Sequence, residues 1–206
     1  MQTAPDRHIN FARNRYYDKH FSSHAAKLLP GEFYATAEPE VIVTVLGSCV
    51  SACLRDPETG IGGMNHFMLP LQGNQVDPDA TSARYGVHAM ELLINELIKL
   101  GARRNHLEAK VFGGANVMPT FVSRPVGQQN ADFVLEFLAA ERIPVLAQDL
   151  LSSHPRKVYY FPATGRVMVR RLGSVRNATV FEREREYNQQ LEQATSRGGE
   201  VDLFTD

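Results

Sequence analysis

The sequence predicts an α+β domain, and three observations carry the prediction. Short runs rich in β-branched residues recur along the chain, bounded by turns that contain glycine or proline. Several of these runs are spaced as hairpins. Two longer stretches place apolar residues at three- and four-residue steps, the period of an amphipathic helix. Helices set among clustered hairpins, rather than alternating with single strands, are the α+β pattern.

In chain order, Met1 to Gly31 is polar and rich in His, Arg and Asn, and is expected to be a partly ordered arm. The main domain is expected over 32–180, and a charged helix with a tail over 181–206. Val41 to Leu46 reads as a buried strand, broken by Gly47-Ser48. Cys49 to Arg55 reads as a second strand. Asp56-Pro57-Glu58-Thr59-Gly60 is a turn, with Pro presetting φ and Gly free to take positive φ. Ile61 to Leu69 is a third strand, ended by Pro70. A four-residue loop from Asp56 to Thr59 would set Arg55 opposite Gly60 and Cys49 opposite His66, with Cβ atoms about 4.5–5.5 Å apart on one sheet face. A loop one residue longer would move His66 to the other face.

Leu71 to Asp79 follows as a loop placed to border a site at His66. Thr81 to Leu100 reads as a helix with Asp79 or Thr81 as cap and Gly101 as its stop. Leu107 to Phe112 is a strand running into Gly113-Gly114, which serves either close backbone approach to a ligand or only a tight turn. Asn130 to Arg142 is a second helix with Asn130 as a candidate cap. Ile143 to Gln148, Lys157 to Phe161 and Arg166 to Leu172 read as strands, the last two joined by a turn at Ala163-Thr164-Gly165. Glu182 to Gln193 is a charged, alternating segment expected as an exposed helix. Gly198-Gly199 then precedes a short tail carrying Val201, Leu203 and Phe204.

Composition narrows the function. A chain of 206 residues, 43% hydrophobic and 22% charged, fits one globular domain, or one domain with mobile ends. The net charge of -1, without a sustained basic block, argues against nucleic-acid binding. No apolar run is long enough for a membrane-spanning helix, so no membrane insertion is expected. The N-terminus lacks the apolar centre of a secretory signal. Two cysteines in such a chain suggest a reducing compartment, hence the cytoplasm.

One cysteine and one histidine carry chemistry. Cys49 follows a Gly-Ser strand break, where backbone N–H groups can face an oxyanion. His66 supplies the base that a thiol needs to become a nucleophile. Gly62-Gly63 beside it leave room for a substrate. The same atoms could suggest a metal site of Cys49, Cys53 and His66. Residues four apart on a strand, however, are separated by about 13 Å, too far for one tetrahedral ion or a disulfide. No metal or cofactor is expected, and Cys53 reads as a core residue.

The stretches Val43-Thr44-Val45-Leu46-Gly47-Ser48-Cys49-Val50, Gly62-Gly63-Met64-Asn65-His66-Phe67-Met68-Leu69-Pro70 and Ala109-Lys110-Val111-Phe112-Gly113-Gly114-Ala115 resemble the CheD family, the chemoreceptor glutamine deamidases of bacterial chemotaxis. The tail from Gly199 to Phe204 is similar as well. The resemblance implies a β-sandwich core covered by helices on its outer faces. It also implies Cys49 as nucleophile, His66 as base and Thr44 as the third member of a triad; by itself Thr44 reads equally as a plain strand residue. Gly47, Ser48, Asn65, Phe112, Gly113 and Gly114 are the candidate oxyanion- or substrate-binding residues. The chain departs from many members at Ser152-Ser153 and Pro155-Arg156, where those carry glycines. The implied partners are the cytoplasmic helical domain of a chemoreceptor and a chemotaxis phosphatase. The competing readings are a non-catalytic chemotaxis adaptor, or a Cys–His deamidase of another protein.

Overall fold

The computed structural model describes residues 11–70, 78–116, 125–173 and 177–197. The strands, in chain order, are β1 (Asn14–Asp18), β2 (Ser23–Lys27), β3 (Phe33–Thr36), β4 (Val41–Leu46), β5 (Val50–Arg55), β6 (Gly62–Asn65), β7 (Glu108–Gly113), β8 (Val145–Leu150), β9 (Arg156–Phe161) and β10 (Arg166–Arg171). The helices are α1 (Pro78–Leu100), α2 (Val126–Ala140) and α3 (Asn177–Arg197). The strands form two five-stranded mixed sheets, ordered β1-β2-β4-β9-β10 and β3-β6-β5-β7-β8. The α+β class expected from the sequence is the class observed.

Strand β5 shows why the layers stack as they do. It is buried on both faces, so its alternating side chains feed two different cores. Val50, Ala52 and Leu54 join Phe33 and Val111 with Met90, Leu93 and Ile94 of α1 and Val134 and Leu138 of α2. Cys49, which immediately precedes the strand, and Cys53 point the other way, toward Ile42, Leu46, Val158 and Tyr160 of the opposing sheet. Each fully buried aliphatic side chain in these clusters contributes about 1.5–3 kcal/mol from removing apolar surface from water. Both α1 and α2 lie on the outer face of the second sheet. The outer face of the first sheet carries Ala25, Val41 and Val43 under Tyr16, Phe21, Tyr159 and Phe161.

Several boundaries differ from the sequence reading. The stretch expected as an arm contains β1 and β2, which pair antiparallel, and β2 then pairs parallel with β4. Its small residues Ala25 and Ala26 are fully buried. The α2 helix begins at Val126, so Asn130 lies inside it rather than capping it. The helix expected from Thr81 begins at Pro78. Residues Leu71 to Asp77 and the tail from Gly198 lie outside the described residues.

The hairpin that carries His66 differs by a register. The backbone N–H of Asp56 donates to the Ile61 carbonyl at 2.9 Å, so the four-residue loop is Pro57 to Gly60, one residue later than expected. Arg55 therefore faces Gly62, and Cys53 faces Met64. The cause is the Asp56 side chain, whose carboxylate accepts the Glu58 N–H at 2.9 Å and the Arg103 N–H at 3.0 Å. Gly60 completes the turn at φ +73°. The offset relative to the expected pairing is two residues, so every side chain keeps its face. His66 stands diagonal to Cys49 instead of opposite it.

Asp56 is fully buried. Burial alone would raise its pKa, but the backbone N–H groups of Arg103, Glu58 and Thr59 and the Arg103 charge outweigh it and hold the carboxyl below its ordinary range. A depressed carboxylate pKa stabilises the fold above the unfolded value and loses that contribution as pH falls through the folded one. Asp56→Ala strands buried N–H donors and is expected to cost about 1–3 kcal/mol. Thermal unfolding at neutral pH checks this, and the gap between variant and wild type should narrow in acid.

Candidate active site

The site is built where the chain changes sheets. Between β4 and β5, residues Gly47 to Cys49 cross from the first sheet to the second. Their carbonyl groups all face one way and are fastened there. The Gly47 carbonyl accepts from Ala115 N–H at 2.7 Å, and the Cys49 carbonyl from Gly114 N–H at 2.8 Å. The Ser48 carbonyl accepts from the Asn130 side-chain amide at 2.8 Å, while the other end of that amide accepts the Leu69 N–H. With the carbonyls tied back, the three N–H groups face the opposite way, into the site. Consecutive N–H groups converging on one point form an anion-binding nest.

A carboxylate fills the nest. Glu184 of α3 accepts from Gly47 N–H at 2.9 Å, Ser48 N–H at 2.9 Å and Cys49 N–H at 3.1 Å. The Ser48 hydroxyl donates to it at 2.7 Å. The segment expected as an exposed helix thus carries a glutamate that is only 5% exposed. Sequence reasoning missed this residue. The available signal was its place in the stripe Val180, Glu184, Tyr187, Leu191, where it is the lone charge among apolar side chains at helical spacing.

His66 reaches the same point from the second sheet. Its main chain is fixed by a bond from its own N–H to the Glu32 carbonyl and one from Gly31 N–H to its carbonyl. Its Nδ1 lies 2.7 Å from the hydroxyl of Thr44, which stands on the opposing sheet. That hydroxyl also lies 3.1 Å from the Leu28 carbonyl, which can only accept. The hydroxyl proton therefore goes to Leu28, and the hydroxyl oxygen receives Nδ1–H. This network assigns the tautomer: the proton sits on Nδ1 and the lone pair on Nε2. Nε2 is buried and has no hydrogen-bond partner among the described residues. The ligating atoms of Cys49, His66 and Glu184 all lie within 4.8 Å of one another.

The electrostatics of this arrangement oppose ionisation of the pair. Cys49 is fully buried. Burial pushes its thiol pKa well up, and the Glu184 charge pushes it further. Burial pulls the His66 imidazole down to about 4, against the opposing pull of Glu184. A neutral thiol beside a neutral imidazole is the resulting state. The three groups are also the one such cluster of metal-type donors among the described residues. Both Glu184 oxygens, however, already receive hydrogens from the nest, whose N–H dipoles favour an anion over a cation.

The other predicted residues fall elsewhere. Gly113 and Gly114 lie behind the turn at Gly47 to Cys49 and do not open onto the site. Gly113 has φ +113°, and a Cβ there would collide with the Cys49 carbonyl; a Cβ on Gly114 would meet the Gly127 carbonyl at 2.7 Å. Their glycine character lets β7 and α2 press against the turn. Gly62 and Gly63 are likewise packed against Leu54 and Leu93. Asn65 faces α1, where its side-chain oxygen accepts the Ala52 N–H at 2.9 Å in place of a ladder bond. Phe112 packs between the sheets with Cys49. Cys53 is a core thiol raised by burial.

Comparison with known proteins follows the same lines. A family model described as "CheD chemotactic sensory transduction" matches residues 68–171. A protein of Dechloromonas aromatica named "Probable chemoreceptor glutamine deamidase CheD 1" is 56% identical over 99% of this chain and 100% of its own. A similarly named protein of Thiobacillus denitrificans is 57% identical over 94% of this chain and 96% of its own. One from Shewanella oneidensis is 56% identical over 93% of each. The crystal structure of a Bacillus licheniformis hypothetical protein, YfiH, overlaps 59% of this chain and 51% of its own at 11% identity with a TM-score of 0.40, too remote to carry an argument.

The buried imidazole has a consequence for stability. In the unfolded chain a histidine titrates near 6.5, whereas His66 in the fold is held down to about 4. Between those values the unfolded state binds the extra proton, so stability falls as pH drops through that window. Melting temperature followed from pH 7 to 4 is expected to decline more steeply in wild type than in a His66→Gln variant, which has no proton to take up at this position.

Proposed function

Because the chain belongs to the CheD family, we infer that it is a chemoreceptor glutamine deamidase, a thiol amidohydrolase that converts receptor glutamines to glutamates. The observation that carries this reading is the meeting at one point of a thiol, an imidazole and the backbone N–H groups of Gly47 and Cys49, which share one Glu184 oxygen, with Ser48 N–H on the other oxygen beside them. That is the equipment for attacking a carbonyl carbon and holding the oxyanion that results. The group found at that point is a side-chain carboxylate, the product of the reaction.

The mechanism follows from the bonds. His66 Nε2 takes the proton from Cys49, and the sulfur attacks the side-chain carboxamide carbon. Negative charge moves onto the carboxamide oxygen, where the N–H groups of Gly47 and Cys49, the pair that shares one Glu184 oxygen, receive it. In comparable sites one such donor is worth about 2.7–4 kcal/mol of barrier. The imidazolium returns its proton to the departing nitrogen, the C–N bond breaks, and ammonia leaves a thioester. Water then attacks with His66 as base, the C–S bond breaks, and the thiol and a glutamate remain. Thr44 holds Nδ1–H throughout, so Nε2 is the nitrogen that exchanges protons in each cycle.

The substrate is the cytoplasmic helical domain of a chemoreceptor, and each turnover adds one negative charge to it. Among the described residues no helix is long and apolar enough to cross a membrane. A cytoplasmic setting suits a chain whose two cysteines are both free thiols.

Mass spectrometry of a receptor cytoplasmic fragment tests the reading. Wild type is expected to add about one dalton per modified glutamine, the change from NH2 to OH. Cys49→Ala should leave the fragment unchanged. Cys53→Ala should keep most activity, because four residues of strand, about 13 Å, separate it from the reacting sulfur. A fragment untouched by wild type would overturn the assignment.

Thr44→Val keeps the side-chain shape and removes the hydroxyl. Losing a buried hydrogen bond costs about 1–3 kcal/mol, so a rate loss of about ten- to hundredfold is expected. Single-turnover rates compared at equal fold content by circular dichroism measure it. An unchanged rate would reduce Thr44 to a strand residue.

A further inference from the structure

We propose that α3 is a built-in, product-like occupant of the active site, which presents Glu184 as a substrate helix would present its modified residue and must leave before a receptor can bind. The proposal rests on the deamidase reading for its chemistry. Its structural basis is independent of that reading.

The first part of the basis is position. The carboxylate of Glu184 takes the N–H groups of Gly47, Ser48 and Cys49, including the pair assigned to the oxyanion. It lies within 4.8 Å of the sulfur and of an imidazole nitrogen. A substrate carboxamide has no second place to put its oxygen, so the helix and a substrate exclude each other.

The second part is the mode of presentation. Among the described side chains of α3, Val180, Glu184, Asn188 and Leu191 are buried, with Tyr187 half-buried beside them. Glu182, Arg183, Arg185, Glu186, Gln189 and Gln190 are exposed. One helical face therefore docks, with the reactive-position side chain near its centre. Tyr187 meets the hydroxyl of Tyr85 on α1 and covers Gly31. Val180 packs beside Gly47. Steps of -4, +3, +4 and +7 from Glu184 thus define a register in which this surface accepts a helix.

The third part is that the docked state is unsuited to chemistry. Glu184 bonds here to neutral N–H and O–H groups, which satisfy its oxygens. Its charge lies beside the sulfur and disfavours a thiolate. The helix blocks the site and quiets the nucleophile at once.

A glutamine at position 184 should then be an intramolecular substrate. Cys49 would attack its carboxamide carbon, the C–N bond would break with release of ammonia, and water would hydrolyse the thioester, so that the introduced carboxamide and one water become a carboxylate and ammonia. The experiment uses the full chain as Glu184→Gln, Glu184→Gln with Cys49→Ala, and Glu184→Ala. Peptide mass spectrometry is expected to find glutamate at position 184 in the first and glutamine in the second. Wild type added to the double variant should leave it as glutamine, since the conversion is intramolecular. Conversion of the double variant by wild type would overturn occupancy in cis. Retention of glutamine in the single variant, while wild type deamidates a receptor fragment, would overturn the seating of α3.

Glu184→Ala separates this proposal from the deamidase reading. With fold content matched by circular dichroism, iodoacetamide is expected to alkylate Cys49 at least about tenfold faster than in wild type at neutral pH, the effect of a one-unit fall in thiol pKa. Unchanged or slower alkylation would overturn the proposal. Faster alkylation with no deamidation of either glutamine would sustain the docked helix and sink the deamidase reading instead.

Discussion

Three successive residues whose backbone N–H groups all point the same way are the constraint on which the rest depends. A chain passing from one sheet to the other within Gly47 to Cys49 cannot pair those groups in a ladder. The carbonyls of the same residues are met by Gly114, Ala115 and Asn130. Their N–H groups must still be satisfied, because a buried donor without a partner costs about 1–3 kcal/mol. The turn therefore requires an oxygen at its mouth, whether from water, from a substrate or from Glu184. Gly113 and Gly114 are needed because a side chain at either would push the turn off its supports. Asn130 is needed because its amide ties the middle carbonyl to α2. An anion-binding point is the consequence of folding the chain this way.

The sandwich also sets the proton chemistry. Thr44 and His66 stand on different sheets, and their contact is made only when the two layers pack. The direction of that hydrogen bond is decided one step further out, by a carbonyl at Leu28 that can only accept. Core packing by Ile42, Leu46, Met64 and Val158 holds the sheets at the distance this relay needs. The His66 imidazole is thus kept in its Nδ1–H tautomer by the tertiary fold, not by a local motif.

The sequence disclosed the parts whose cause is local. The β-branched run of β4, the break at Gly47-Ser48 and the turn at Asp56 to Gly60 were all readable, and Cys49 and His66 were placed on one face despite a pairing offset by two. That offset arose because Asp56 accepts N–H groups from Glu58 and Arg103, and the Arg103 contact is invisible to a local reading. Residues 14–27 fall inside the stretch 1–31 that reads as an arm because polar side chains dominate its composition; Ala25 and Ala26, small and fully buried, carry the packing. Asn65 lies beside His66 in sequence, and Gly113 and Gly114 lie behind Cys49 in the fold, but backbone satisfaction and close packing explain them. Glu184 was hidden by its neighbours: Glu182, Arg183, Arg185 and Glu186 make the segment look solvated, and a helix buries only one face.

Access and activation are coupled by the same carboxylate. With α3 docked, burial raises the thiol and lowers the imidazole, and the charge of Glu184 raises the thiol further. The proton then has no reason to move from sulfur to nitrogen. Withdrawal of the helix removes a negative charge from beside the sulfur and lets water reach both groups, so each relaxes toward its ordinary pKa. The three N–H groups stay where they are, since the carbonyls of Gly47, Ser48 and Cys49 remain fastened to Ala115, Asn130 and Gly114. Left without their carboxylate, they favour whatever negative charge next appears at the turn, first on sulfur and then on a substrate oxygen. A helix that offers a carboxamide in the same register completes the exchange, because it supplies the oxygen without supplying the charge.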